Sequence, residues 1–244
     1  MFNSYHNEII VIKAGATLLL SPKTKKKRGK NMPTNDSIKV VTKNKNLHLR
    51  VSRGHFATSH SHINYYIDVS MQKTRLSEAQ AVAHELVSYY TSNTIVDTIL
   101  CLDGMEVVGA CLANELTKGD FNSINAHQTI YVVTPEHTSG SQLIFRDNIA
   151  HTIKGKNVLI LAASVTTGYT ANAAIEAIKY YGGVVSGIAS IFATVESCAG
   201  YAVHSVFNPN DLNDYASYTA HECPMCKKGE KIDALVNSYG YSKI

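Results

Sequence analysis

The segment NVLILAA, residues 157–163, constrains the fold more than any other part of the chain. Its only polar residue is Asn157, at its start, so it has no polar face to turn toward water. A run this short and this apolar reads as a strand covered on both faces, as in the middle of a parallel sheet. The next seven residues are opposite in character. Ser164, Val165, Thr166, Thr167, Gly168, Tyr169 and Thr170 form a small, hydroxyl-rich turn. Thr170 to Tyr181 then has helical spacing, and Gly182-Gly183 ends it. Parallel strands deliver ligands to their carboxyl ends, where the next helix begins. Gly168 lets the backbone turn so that several N–H groups converge, Thr166, Thr167 and Thr170 add hydroxyls, and the helix adds the positive end of its dipole. The expectation is a phosphate monoester site over residues 164–170, weighed against an ordinary capped strand-to-helix turn. It is not a Walker A loop, because the Gly-Lys-Ser/Thr ending is absent.

The rest of the chain alternates in the same way. NYYIDVS (64–70), TIVDTILCL (94–102), TIYVVT (129–134), VVSGIASIFAT (184–194) and AVHSVFN (202–208) read as strands. AQAVAHELVSYY and VVGACLANEL read as helices, the first with Ala79, Val82, Ala83, Leu86 and Val87 on one face. Ser77 is expected to cap that helix, with Gln80 as its capping-box partner. The fold class expected is α/β, a parallel sheet flanked by helices, with a small N-terminal hood segment near residues 39–75. Residues 1–38 are expected as a basic leader, disordered or not native, 39–232 as the domain and 233–244 as a C-terminal tail. The polar stretch from Glu136 to Gly155 is long for a connection, and such loops often carry function.

Composition narrows the classes. At 244 residues, 45% apolar and 17% charged, the chain can build a sizeable core and is no disordered tract. No apolar run reaches the roughly 18 residues of a membrane span. Five cysteines, Cys101, Cys111, Cys198, Cys223 and Cys226, make no even disulfide framework and fit a reducing cytoplasm. Of 23 Lys+Arg and 19 Asp+Glu, seven basic residues and one acid fall in 1–31, so residues 32–244 carry 16 and 18, a balance of −2. The basic run KTKKKRGK is therefore read as a solvated tail in preference to a nucleic-acid or anionic-surface arm. Translation from Met32 is an alternative. IIVIKAGATLLL, interrupted by Lys13, makes an imperfect signal peptide.

With its surroundings, the strand and turn resemble the signature of type I phosphoribosyltransferases, in which an apolar strand leads through two acidic residues to Thr-Thr-Gly-x-Thr. Here the turn is Thr166-Thr167-Gly168-Tyr169-Thr170. Within that family the orotate branch is the nearest pattern: Phe56, Ser59 and Tyr65 match its N-terminal segment, whereas Thr58, His60 and Ile63 depart from it. CLDGMEVVGACLA (101–113) is similar to the family's pyrophosphate loop and its helix, without the paired glycines. The resemblance covers roughly residues 45–230. It implies a phosphoribosyl ligand (phosphoribosyl pyrophosphate or a nucleotide), a homodimer, Asp103, Gly104, Met105 and Glu106 at the pyrophosphate, and Tyr65, Tyr66 and Asp68 near the base, with a strand-end cap as the equal alternative for Asp68.

The departures bear on chemistry. The family's acidic pair holds the ribose hydroxyls while positive charge builds at C1′, and here both positions are alanine, Ala162 and Ala163. Alanine can neither accept those hydrogen bonds nor stabilise the charge. The family's mobile basic loop corresponds to PEHTSGSQLIFRDNIAHTIKG, with His137, Arg146 and His151 and no lysine before Lys154. His137 is the catalytic candidate there, against a plain exposed histidine. Asp103 and Glu106 could hold Mg²⁺ through water, although turn and helix-start roles are the favoured reading. Cys223-x-x-Cys226 with Gly229 has the shape of a zinc knuckle. A closed zinc site needs four ligands, and His221 offers only a third, so a metal-free thiol pair is the default expectation and zinc the alternative. Two readings of function stand: transfer of ribose 5-phosphate to a pyrimidine base, or a binder that senses a phosphoribosyl ligand without turning it over.

Overall fold

A computed structural model describes residues 9–11, 38–41, 47–118, 123–126, 128–138 and 142–244. The basic run and Met32 lie outside them. The chain divides into two compact units. One comprises the described residues up to Asp68, Asp214–Val236 and Tyr241–Ile244, and the other Val69–Asn213 with Asn237–Gly240.

The larger unit carries the expected α/β architecture. Its sheet orders the strands Tyr131–Val133, Thr98–Cys101, Asn157–Val165, Val184–Ala193 and Tyr201–Phe207 side by side and parallel, with Ser197–Cys198 antiparallel at the far edge. Asn157–Val165 lies at its centre, as an all-apolar run requires. Successive residues of a strand face opposite sides. Leu100, Val158, Ile160 and Ala162 join one core cluster with Ala171, Ala174, Ile175 and Ile178 of the helix Tyr169–Tyr180. The other face meets the helix Glu106–Thr117. A Cβ on Gly109 of that helix would lie 2.4 Å from Cys101 Sγ and 3.6 Å from Ile99 Cγ2, so only glycine allows the helix so close.

Some boundaries differ from the sequence reading. The apolar strand runs two residues further, to Val165, and the helix after it starts at Tyr169. Gly182 then turns left-handed at φ 76°, and Gly183 N–H donates to Ile178 O at 2.8 Å, closing the helix as expected. The capping box at Ser77 does not form: the helix spans Leu76–Val87, Arg75 precedes it and no side chain caps it. Pairing trims the strand expected over 94–102 to Thr98–Cys101. The polar stretch after Glu136 is less irregular than expected, with strands Glu136–His137 and Leu143–Ile144 and a short helix Asp147–Ala150.

The smaller unit is built on a sheet in which His48–Ala57 pairs antiparallel with Ile38–Val41 and His62–Asp68. Ile9–Val11 lies parallel to Ile38–Val41. The chain returns at its C-terminal end: Ser217–Tyr218 pairs with His62–Asp68, and Ala234–Asn237 pairs parallel with His48–Ala57. Residues expected as a tail thus supply Ala234 and Val236 to a core with Phe56, Ile63 and Tyr66. No helix among the described residues is long and apolar enough to cross a membrane.

Candidate functional site

The five parallel strands stand in the order second, first, third, fourth, fifth by position in the chain. The direction of winding therefore reverses between Thr98–Cys101 and Asn157–Val165. Open α/β sheets take ligands at the carboxyl ends of strands flanking such a reversal. Leu102 N–H donates to Leu161 O at 2.8 Å, so the turn from Asp103 leaves the sheet beside Ala162 and Ala163. Two sequence candidates, residues 103–106 and 164–170, are brought together on one edge.

Asp103 (φ 57°) and Gly104 (φ 78°) form the first turn with two successive left-handed residues. Met105 is fully buried, so of this group Asp103, Gly104 and Glu106 border solvent. Glu106 Oε1 accepts from Thr134 Oγ1 at 3.0 Å. The buried Lys73 ammonium donates to Asp103 O at 2.8 Å and Ser238 O at 2.7 Å, placing a cation beneath the turn. Sequence reasoning missed Lys73, because only the folded turn brings its nitrogen to a carbonyl thirty residues away.

The second turn is clamped by the next strand's end. Thr194 N–H donates to Val165 O at 3.0 Å and Thr194 Oγ1 to Thr166 O at 2.9 Å. Gly168 sits at φ 76°, and a Cβ there would meet Cys198 Sγ at 2.9 Å. Both conditions demand glycine. Ser164, Thr167, Tyr169 and Thr170 are exposed, Thr166 is half-buried, and Val165 and Gly168 are buried. The helix Tyr169–Tyr180 has neither a side-chain cap nor an acid in its first turn. Helix starts leave N–H groups without intrahelical acceptors, and no carboxylate of this helix competes there with an incoming anion.

Ala162 and Ala163 are 2% and 1% exposed and lie within the strand, not in the turn. Ala162 is in register with Ser190, whose buried hydroxyl finds no hydrogen-bond partner among the described residues. On the same side of the sheet as Ala163, burial pushes the Cys101 thiol up to about 12. The strand ends here thus offer methyl groups and a neutral thiol. His137 is exposed and in register with Leu143 in a two-stranded ribbon. Arg146 holds Glu136 through two hydrogen bonds of 2.7 and 2.6 Å, and its donation keeps the Glu136 carboxyl below its ordinary range. His151 packs edge-on against Tyr131 at 5.9 Å.

The remaining candidates belong to the smaller unit. Tyr65 OH accepts from Arg53 Nε at 2.6 Å and donates to Asp214 Oδ1 at 3.2 Å. Tyr66 packs against Phe56 and Tyr241, and burial raises its phenol to about 12. Asp68 ends its strand opposite Arg50. Cys223 and Cys226 lie beside His55 and His62, while His221 is exposed.

No protein-family model matches the chain. It is 26% identical over 191 residues to an orotate phosphoribosyltransferase of Chlorobium phaeobacteroides, covering 74% of this chain and 86% of that one. The orotate phosphoribosyltransferase of Chlorobaculum parvum is also 26% identical, over 182 residues. Among solved structures, Mycobacterium tuberculosis orotate phosphoribosyltransferase aligns with TM-score 0.46 and 19% identity over 68% of this chain and 93% of that one. Leishmania donovani UMP synthase aligns with TM-score 0.46 and 20% identity over 66% of this chain, which spans 34% of that longer protein. The similarity to orotate phosphoribosyltransferases thus extends over most of the sequence.

Proposed function

We propose that the chain binds a phosphoribosyl ligand by its 5′-phosphate at residues 164–170, and that ribosyl transfer at this edge is strongly impaired. The observation that carries the reading is the helix start at the sheet's reversal point, without a side-chain cap or an acid in its first turn, at the end of a strand that carries two buried alanines. The phosphate would be met by N–H groups of the turn and by Thr166, Thr167 and Thr170, under the helix dipole. The ribose would find no carboxylate at Ala162 or Ala163. Losing preorganised polar contacts to developing charge costs about 3 kcal/mol each in transition-state stabilisation. Asp103 and Glu106 are the acids able to meet a Mg²⁺ ion arriving with pyrophosphate, through its water shell. The loop's Arg146 is engaged by Glu136.

The second reading is orotate-type transfer from phosphoribosyl pyrophosphate, and the 26% identity over 86% of a curated orotate phosphoribosyltransferase favours it. Calorimetry with ribose 5-phosphate, phosphoribosyl pyrophosphate and pyrimidine nucleotides, run beside a pyrophosphate-release assay with Mg²⁺ and a panel of bases including orotate, separates the two. Binding without release is expected. Base-dependent release would establish transfer, and absence of binding by any of these ligands would remove both readings.

A further inference from the structure

We propose that His55, His62, Cys223 and Cys226 form a closed, tetrahedral Zn²⁺ site in the smaller unit. One ligand atom from each lies within 4.8 Å of the other three. His55 Nε2 is 3.1 Å from His62 Nδ1 and 3.5 Å from each sulfur, and Cys226 Sγ is 3.2 Å from His62 Nδ1. With Zn–N near 2.0 Å and Zn–S near 2.3 Å, the edges of a coordination tetrahedron are about 3.3 to 3.8 Å. The cluster is close to that size.

Proton accounting favours a cation over a network of hydrogen bonds. His55 Nδ1 lies 3.1 Å from Glu230 O. A carbonyl only accepts, so Nδ1 carries the proton and, in the neutral ring, Nε2 presents a bare lone pair. His62 Nδ1, Cys223 Sγ and Cys226 Sγ all approach that nitrogen, yet one lone pair satisfies one donor. A cation at the centre accepts electron pairs from all four atoms at once. The Nδ1–H to carbonyl contact is the outer hydrogen bond that fixes a metal-bound histidine's tautomer and orientation.

Local structure prepares the ligands. His55 is 3% exposed and Cys223 fully buried. His55 and His62 come from two paired strands and lie seven residues apart. Cys223 precedes the short helix Pro224–Lys227, which brings Cys226 back toward it, and Gly229 (φ 74°) turns the chain away. Glu230 N–H donates to Met225 O at 3.0 Å, closing the knuckle around the sulfurs. Two thiolates and two imidazoles suit zinc and exclude magnesium or calcium, which prefer oxygen. Four protein ligands leave no position for water or substrate, so the ion is structural and pins Asp214–Val236 to the hairpin that precedes Asp68. Sequence reasoning found only the cysteines, because the histidines lie more than 160 residues before them.

The test uses the full chain, expressed without a histidine tag and dialysed against chelator-free buffer. Elemental analysis is expected to give close to one zinc per chain, and Cys223→Ser or Cys226→Ser to reduce it at least tenfold. Should the serine variants fail to fold, the wild type alone still decides. Co²⁺ exchanged into it should give the visible bands of a tetrahedral site with thiolate charge transfer. Cys223 and Cys226 should also resist alkylation until a chelator is added, with Cys111 as internal reference. Zinc below a tenth of an equivalent after incubation with ZnCl₂ and desalting, with the two thiols alkylated equally fast with and without zinc, would overturn the proposal. Both readouts are independent of phosphoribosyl binding.

Discussion

The carboxyl edge of the parallel sheet and the histidine–cysteine cluster are built by different means. At the edge the defining features are mainly backbone: a left-handed glycine, the start of a helix and a turn clamped by Thr194. Small side chains suffice, and the arrangement persists with Ala162 and Ala163 at its rim. The cluster is made wholly of side chains, two from a hairpin and two from a knuckle, and loses closure if any one is removed. A backbone turn tolerates substitution of the side chains around it, whereas a cage of side chains does not. Substitutions at the edge should therefore have separable effects on folding and on binding.

The largest effect is expected where the edge meets the core. Ala162→Asp would place a carboxylate at a position 2% exposed, among Ala171, Ala174 and Ile175. An uncompensated buried charge costs about 3 kcal/mol or more, or a fall in Tm of roughly 10 °C for a chain of this size. Ser190, in register with it, carries a buried hydroxyl without a partner among the described residues. Ser190→Ala should therefore be close to neutral alone and should deepen the loss in the Ala162→Asp background. Thermal unfolding of the four proteins measures this. An unchanged Tm in Ala162→Asp would mean that the edge can hydrate an acid, and the proposal that the alanines impair transfer would lose its support.

Next comes the glycine of the cradle. Gly168→Ala must hold a Cβ in the left-handed region, which costs about 1–2 kcal/mol, and must press it against Cys198 Sγ, 2.9 Å away. Binding of ribose 5-phosphate is expected to weaken at least tenfold together with a loss of stability. Cys198→Ala in the same chain should recover the steric part and leave the backbone part. Full recovery would show that crowding alone requires the glycine.

Thr166→Val with Thr167→Val should act on binding alone. Hydrogen bonds to a charged partner are worth about 1.5–3 kcal/mol, so affinity for ribose 5-phosphate should fall at least tenfold. Stability should hold, since Thr167 is exposed and the clamp on Thr166 uses its carbonyl. An unaltered affinity would take the threonines out of the phosphate site.

How much of the molecule is legible in the sequence depends on the range of each interaction. The central strand and its cradle are local features, so an apolar run followed by Thr-Thr-Gly announces them, and the fold moves the helix start by only one residue. The reversal point needs strand order, which no local pattern carries. Lys73 and the pair His55 and His62 are invisible for the same reason: their partners Asp103, Cys223 and Cys226 are close only once the chain has folded back. The expected cap at Ser77 fails in the other direction. Its spacing fits the capping rule, but the helix starts two residues earlier than a cap at Ser77 requires, at Leu76, which puts Ser77 inside its first turn.

The smallest effect concerns the ion pair beside the two-stranded ribbon. Arg146 is the arginine of the loop that resembles the family's basic loop, and Glu136 occupies it through both carboxylate oxygens. Both side chains are exposed, so Glu136→Gln should leave Tm unchanged. It should raise affinity for pyrophosphate severalfold, because the guanidinium is freed. The hydrogen bond from Arg146 lowers the Glu136 pKa, so the pair is intact above the ordinary carboxylate range and lost only as pH falls through the lowered value. The ratio of variant to wild-type affinity should therefore be constant near neutral pH and approach unity in acid. Pyrophosphate titrations of both proteins at a series of pH values measure that ratio. A ratio of unity throughout would mean that Glu136 does not mask Arg146 from pyrophosphate.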